Sequence, residues 1–501
     1  MKTFFLFSKE ESETKVANDR LLSHAVGLSG QNMTYSFLTG RLFVYLNTLL
    51  GIPSEKTGII TGISSLWDAI NDPLIGSLMD HRRYKPGYKM RPFLLWTPPI
   101  IGILVALMFI DFGLSETQTI IFILVLYLLF DAFYSFHDIA IWGMTALTSP
   151  SSEERKRVAQ WLTIGAGAGS TIAGLFPMLK DVISGSGVIT EKNTYVLFAM
   201  IFGFGGMILA MLAYRQKEKV IEAPPEKGEK KNILRSILNL RHNRTLIVIC
   251  LARVVQSFSL TLPWEYFFES DGVSYEVFGA TISGGTAQVV YGFVMGIPGA
   301  LFMLAAVPTI NKLGGNKNLL IFSELASVVA RVLAFFIGAN DRYKNIWVLL
   351  VVIMILGSAQ ILTNMKDIAH RSLLTNSIDE MELKTGERTE GITFSMQNLV
   401  SKLTNAIPKF LQGYLLKFLG FNEKLGTGGS DTIRKQTSAR FLKYRWHQFI
   451  LGPAIGAALY VIVILFLEKD DKENMAEIER QLKALRANAA DEMIDDVTAD
   501  V

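Results

Sequence analysis

Apolar stretches of about 20 residues recur from one end of this chain to the other, divided by short polar connections. They fall near 30–50, 58–79, 92–110, 119–148, 158–179, 194–214, 245–268, 285–310, 319–338, 346–370, 391–418 and 447–467. A helix rising 1.5 Å per residue crosses about 30 Å of hydrocarbon in roughly 20 residues, so each stretch is long enough to span a bilayer. The pattern predicts an all-α polytopic membrane protein with twelve transmembrane helices.

The polar connections add orientation and division. Lys and Arg crowd the second loop (Arg82, Arg83, Lys85, Lys89, Arg91), the fourth (Arg155, Lys156, Arg157) and the long connection 215–244. The positive-inside rule then puts both termini in the cytoplasm, with the chain in the cell (inner) membrane. The eleventh loop, with Lys417, Lys424, Arg434, Lys435, Arg440, Lys443 and Arg445, is basic where that orientation predicts an outward face. The connection 215–244, containing Ala223, Pro224 and Pro225, divides the spans into two groups of six. Segment 1–29 is thus expected to be cytoplasmic, 30–214 a first six-helix bundle, 215–244 a cytoplasmic linker, 245–467 a second bundle and 468–501 a charged cytoplasmic tail. Halves of this kind place a solute between them near the bilayer midplane.

Composition agrees: half of the 501 residues are hydrophobic and 19% are charged, with a mean hydropathy of +0.32. The amino end, MKTFFLFSKEESETK, has too short an apolar run for a secretory signal. The single cysteine, Cys250, sits in an apolar run and reads as a packed thiol. No nucleophile–base pair or metal motif speaks for an enzyme, and no cofactor or nucleic acid is implied.

Ionisable residues inside spans carry more information, because hydrocarbon tolerates them only when they are paired or wetted. In SSLWDAINDPLIG, Asp68 and Asp72 lie one turn apart with Asn71 beside them on a single helical face. Two carboxylates in low dielectric repel unless a proton or a hard cation sits between them, which points to a site for Na⁺, Li⁺ or H⁺. The competing account is that they pair with a basic residue such as Lys402. In the fourth span Tyr134, Asp138 and Trp142 follow at i, i+4 and i+8. An acid flanked by aromatic faces suits a sugar, whose C–H faces rest on rings while hydroxyls donate to the carboxylate. Ser135, on the turn before Asp138, is placed to lend a hydroxyl to the cation. Arg41, Arg253, Arg331, Lys366 and Lys402 also lie within predicted spans and tilt the interior positive.

At these residues the sequence resembles the glycoside-pentoside-hexuronide:cation symporter family of the major facilitator superfamily. WDAINDPLIG, 67–76, is close to a family hallmark, FSMQNLVSK, 394–402, resembles the eleventh helix, and Asp379 to Glu390 resembles a charged cytoplasmic loop. The resemblance implies a major facilitator fold of two six-helix bundles, with Asp68, Asn71, Asp72 and Ser135 on the coupling cation, the first three as ligands if it is Na⁺. It implies too that Tyr134, Asp138 and Trp142 contact sugar, with Lys402 near both sites. Asn32 stands where a member carries a sugar-binding aspartate, and the fifth span, RVAQWLTIGAGAGS, lacks an arginine found in several. The loss of an acid at Asn32 and the gain of Arg41 move the expected solute toward an anion such as a uronide.

The expectation is therefore a secondary active transporter, a monomer in the lipid bilayer, that brings in a glycoside or sugar acid with Na⁺ or H⁺ by alternating access. A lysolipid carrier of the same fold and a membrane sugar sensor that does not transport are the rivals.

Overall fold

The computed structural model describes residues 15–81, 84–85, 87–219, 243–270, 275–277, 280–302, 305–385, 390–422, 432–467 and 480–481. The expected linker from 220 to 242, most of the C-terminal tail with Met475, Ile478, Leu482 and Leu485, Arg82, Arg83 and Lys424, and the side chain of Arg434 lie outside what is described. The architecture is helical, with one small antiparallel hairpin pairing Tyr275–Val277 with Ala280–Ile282. Six helices among the described residues are long and apolar enough to cross a membrane by length and composition.

The chain forms two compact units whose borders do not follow the two sequence halves. The first unites Met1–Lys227 with Leu262–Val290 and Lys409–Arg445; the second joins Gly228–Thr261, Tyr291–Pro408 and Trp446–Val501.

In the first unit, α1 (Asn18–Val44) runs on through a π turn, Tyr45–Leu49. It is followed by α2 (Ser54–His81), α3 (Phe93–Met108), α4 (Glu116–Leu147) and α5 (Ser152–Gly174). Local signals set the helix starts: Ser115 and Gln118 form a capping box ahead of α4, and the Ser151 side chain accepts the Glu154 N–H at the head of α5. The burial pattern is that of a soluble helix turned inside out, as a bilayer requires. On α2, Leu66, Ile70, Leu74 and Leu78 are exposed at four-residue spacing, while Ser64, Ser65 and Asn71 are buried. An aromatic core of Phe37, Tyr45, Phe109, Phe130, Phe176, Tyr195 and Phe202 fills the unit.

Glycine fixes how closely α1 meets α5. A Cβ on Gly165 would lie 2.2 Å from the carbonyl oxygen of Ala25, and one on Gly169 would lie 1.9 Å from that of Ser29. Small residues at four-residue spacing let two helix backbones touch, and α1 is thereby held at a set depth and rotation.

Three elements differ from the pattern reading. The seventh span is broken into Arg244–Gln256 and Trp264–Phe268, with Pro263 at the break. The tenth runs far past residue 370, to Thr385, because no Gly or Pro interrupts its polar continuation. The next described helix is Glu390–Leu419, so Asp379 to Thr385 of the expected loop are helical. The basic eleventh loop is partly accounted for inside the first unit: Lys417 pairs with Glu55 at 2.6 Å and buried Arg445 donates to Ser270 Oγ at 2.8 Å.

Candidate functional site

The polar faces of α2 and α4 meet. Trp67 Nε1 donates to the Leu128 carbonyl at 3.2 Å and sets their register. Asn71 Nδ2 donates to Ser135 Oγ at 2.8 Å and to the Asp131 carbonyl at 3.2 Å, and Ser135 Oγ lies 2.6 Å from Asp72 Oδ1. Three of the four expected cation residues are thus one hydrogen-bonded chain. Asp68 sits half-buried a turn earlier on α2. Within α2, Pro73 removes the N–H that would reach the Ala69 carbonyl, which leaves that backbone oxygen without its intrahelical donor.

Two charged residues join the cluster without having been singled out in the sequence. Asp131 is buried and accepts from Ser64 Oγ at 2.5 Å. Lys409, in the helix Glu390–Leu419, donates to Ser65 Oγ at 2.5 Å and lies within electrostatic reach of Asp131 and Asp68. It stands two helical turns beyond Lys402, on the same face. Lys402 itself belongs to the second unit. Among the described residues no group of three or more His, Cys, Asp or Glu side chains is arranged to hold a metal ion.

The expected solute residues lie on the same helix. Tyr134, Asp138 and Trp142 share one stripe of α4, and the Trp142 indole is 41% exposed. The residue that organises the stripe is Gln31 of α1. Its amide nitrogen donates to Asp138 Oδ1 at 2.6 Å and to Tyr134 Oη at 3.0 Å, while its oxygen faces His137 Nδ1 at 2.9 Å. Tyr35, one turn on from Gln31, stacks on Tyr134 with centroids 5.0 Å apart, and Tyr134 stacks on Phe130 at 5.3 Å. Neither Gln31 nor Tyr35 is singled out by spacing within its own span, since both act through partners on α4.

Asn32 and Arg41 are placed elsewhere. Asn32 Nδ2 turns back to the Leu28 carbonyl of its own helix at 3.1 Å, because one residue's rotation along α1 points Gln31, not Asn32, at α4. Arg41 is ion-paired with buried Glu265 and lies over the Phe176 ring at 5.4 Å. In the second unit Lys366 pairs with Glu324, which also accepts from Gln256 Nε2 at 2.9 Å, and Arg253 lies 3.8 Å from Asp367. Three of the five cations that tilted the interior positive therefore face carboxylates.

Long helices with apolar outer stripes, polar inner faces and paired internal charges define a membrane carrier for small molecules. The chain belongs to the MFS/sugar transport protein family, whose profile matches residues 23–484. It is a polytopic, secondary-active transporter of the inner membrane, from a family of carriers and not of enzymes. It is 25% identical over 479 residues to "Uncharacterized symporter YjmB" of Bacillus subtilis (strain 168), covering 94% of this chain and 96% of that protein. It is 23% identical to "Raffinose carrier protein" of Pediococcus pentosaceus, covering 98% and 76%. A solved bacterial homologue of the human lysosomal transporter Spinster, inward-facing and unoccupied, shares the fold with a TM-score of 0.61 at 14% identity, covering 89% of this chain and 96% of that one.

Proposed function

We propose that this chain is a cation-coupled symporter of the glycoside-pentoside-hexuronide kind, importing a glycoside by alternating access of two six-span bundles with both termini cytoplasmic. The monomer is the working unit. Asp68, Asn71, Asp72 and Ser135 bind Na⁺, Li⁺ or H⁺, and Tyr134, Asp138 and Trp142 bind the solute. The observation that carries the reading is that both groups share consecutive turns of α4. Ser135, hydrogen-bonded to Asp72, is the next residue after Tyr134, whose hydroxyl is bridged to Asp138 by Gln31. A cation that reorients Ser135 acts directly on the ring neighbouring the solute, and a bound solute acts back by the same factor.

Two carboxylates, an amide and a hydroxyl suit one hard monovalent cation or a proton. The ion pairs at Arg41, Lys366 and Arg253 remove most of the motive for an anionic solute, so a neutral glycoside is the reading carried forward and a uronide its competitor. Purified protein in proteoliposomes tests this with labelled raffinose and a labelled glucuronide, under Na⁺, Li⁺ or proton gradients. Wild-type protein should accumulate at least one sugar against its gradient. Asp72→Asn should still bind it but lose cation-driven accumulation, and Asp138→Ala should lose binding. Undiminished cation-driven accumulation in Asp72→Asn overturns the cation assignment. Absence of any uptake by wild type, with binding retained, indicates a sensor, and displacement by lysolipid alone indicates an amphiphile carrier.

A further inference from the structure

Transport as proposed above makes no use of two histidines that lie wholly inside the first unit. His137 directly precedes Asp138 on α4, His24 is on α1, and both are fully buried. Their hydrogen bonds settle which ring nitrogen carries the proton. The Gln31 amide stands between Asp138 and His137 and has only one workable orientation: flipped, its oxygen would face the Asp138 carboxylate. Its nitrogen therefore serves Asp138 Oδ1 at 2.6 Å and Tyr134 Oη at 3.0 Å, and its oxygen, an acceptor only, requires a proton on His137 Nδ1 at 2.9 Å. A neutral ring protonated there has a bare Nε2, and His137 Nε2 is buried with no hydrogen-bond partner among the described residues. His24 obeys the same logic in reverse. Its Nε2 meets the Ile141 carbonyl at 3.0 Å and must be the donor, and its Nδ1 is the bare, buried atom.

We propose that His137 is a positioning residue for solute binding: its Nδ1–H, acting through Gln31, holds Asp138 and Tyr134 in the arrangement that receives the solute. The proposal rests on the reading of Asp138 and Tyr134 as solute contacts. The relay runs His137 to Gln31 to Asp138 and Tyr134, and each link fixes the next. Removing the Nδ1 donor leaves the Gln31 oxygen buried and unsatisfied, which destabilises the one orientation that serves Asp138 and Tyr134.

Two measurements on the full chain test the relay. The first needs no solute: ¹⁵N spectra of histidine-labelled protein in detergent, with the His137 signal assigned by its loss in His137→Asn. The proton is expected on Nδ1 in the wild type, and the Nδ1 resonance should move in Gln31→Leu. A proton on Nε2, or a resonance unmoved in Gln31→Leu, overturns the relay whatever the solute is. The second uses raffinose and a glucuronide as probes. His137→Phe keeps the ring volume without the donor and should weaken binding roughly tenfold. His137→Asn puts an amide nitrogen near the place of Nδ1 and should recover most of the loss. Cation binding, followed by Na⁺ or Li⁺ protection against heat, should be equal in all three proteins. Full affinity in His137→Phe, or no recovery in His137→Asn, refutes the positioning role. Failure of wild type to bind either probe bears on the function proposed above, and the spectra still decide the relay.

Discussion

Ser135 has more neighbours than one hydroxyl can serve. Its Oγ lies 2.6 Å from Asp72 Oδ1, 2.9 Å from the Asp131 carbonyl and 2.8 Å from Asn71 Nδ2. There is one proton, and a carboxylate oxygen accepts it in preference to a backbone carbonyl, while Asn71 donates to a lone pair of the hydroxyl. Ser135→Ala is expected to leave Asp72 without that donor, a loss of about 1.5–3 kcal/mol where the bond is charge-assisted, and to cut cation affinity measured by calorimetry. Ser135→Thr should retain it; equal affinity in Ser135→Ala removes the residue from the site. A second residue-scale outcome concerns a loop. Asp111 pairs with Lys192 and accepts the Gly113 N–H at 2.8 Å, and these bonds, the lysine's foremost, hold its carboxyl below the ordinary range. A depressed folded value stabilises the protein above the unfolded carboxylate pKa of about 3.9, and that contribution is lost as pH falls through the folded value. Asp111→Asn should therefore cost about 0.2–1 kcal/mol at neutral pH, with the gap to wild type closing in acid, as thermal melts across pH will show. Single-span spacing made Asp68, Asn71 and Asp72 legible in sequence, as it did Tyr134 and Asp138. Asp131, Gln31, His137 and Lys409 matter through partners on other helices, and no spacing within one span reveals a partner.

Apolar runs made the helices legible, but two of the three helices that carry the site are not among the most apolar. Among the described residues the six that pass as spans by composition include α4 but neither α1 nor α2. Those two fall short because Gln31, Asn32 and Arg41, or Asp68, Asn71 and Asp72, interrupt them. A weak span can thus mark a helix that carries a site. What composition did not reveal was where helices approach each other. The run GAGAGS in α5 supplies that contact through Gly165 and Gly169, while Gly167 faces open space. Gly165→Val and Gly169→Val should push α1 away from α5 and lift Gln31 from Asp138, because in both cases the new Cβ meets backbone that cannot give way. The expected readout is lost solute affinity and a melting temperature lowered by several degrees, with Gly167→Ala unchanged. Full affinity in Gly169→Val would show that α1 is positioned by something other than this contact.

At the scale of the whole chain, the sequence halves and the compact units disagree for a physical reason. Segments 262–290 and 409–445 come from the second half but are bound into the first unit by buried polar bonds. Arg41 pairs with Glu265. Lys180 lies 2.7 Å from Glu269, 3.3 Å from Glu191 and 3.5 Å from Asp181. Tyr266 Oη donates to Asn47 at 2.8 Å, and Gln436 Nε2 donates to the Thr48 carbonyl at 2.9 Å. A run of hydropathy sees none of this, since it reports which residues enter the membrane and not which distant segments share a network. If the halves alternate as proposed, these bonds must part each time this end opens, and their strength sets how often it does. Breaking the Arg41 pair from one side alone would leave a buried charge, so the informative variant is Arg41→Gln with Glu265→Gln, which removes both. The chain's single cysteine, Cys250, makes the readout clean. With Cys250→Ser and Thr48→Cys, a membrane-impermeant maleimide reports how often the normally buried position 48 is uncovered. The neutral pair should raise that labelling severalfold, since a bias of about 1.4 kcal/mol is a factor of ten in population. Reaction should occur on intact cells and not on inverted vesicles if this end faces outward. Labelling that is unchanged by the paired substitution would show that the network holds the fold together without governing its opening.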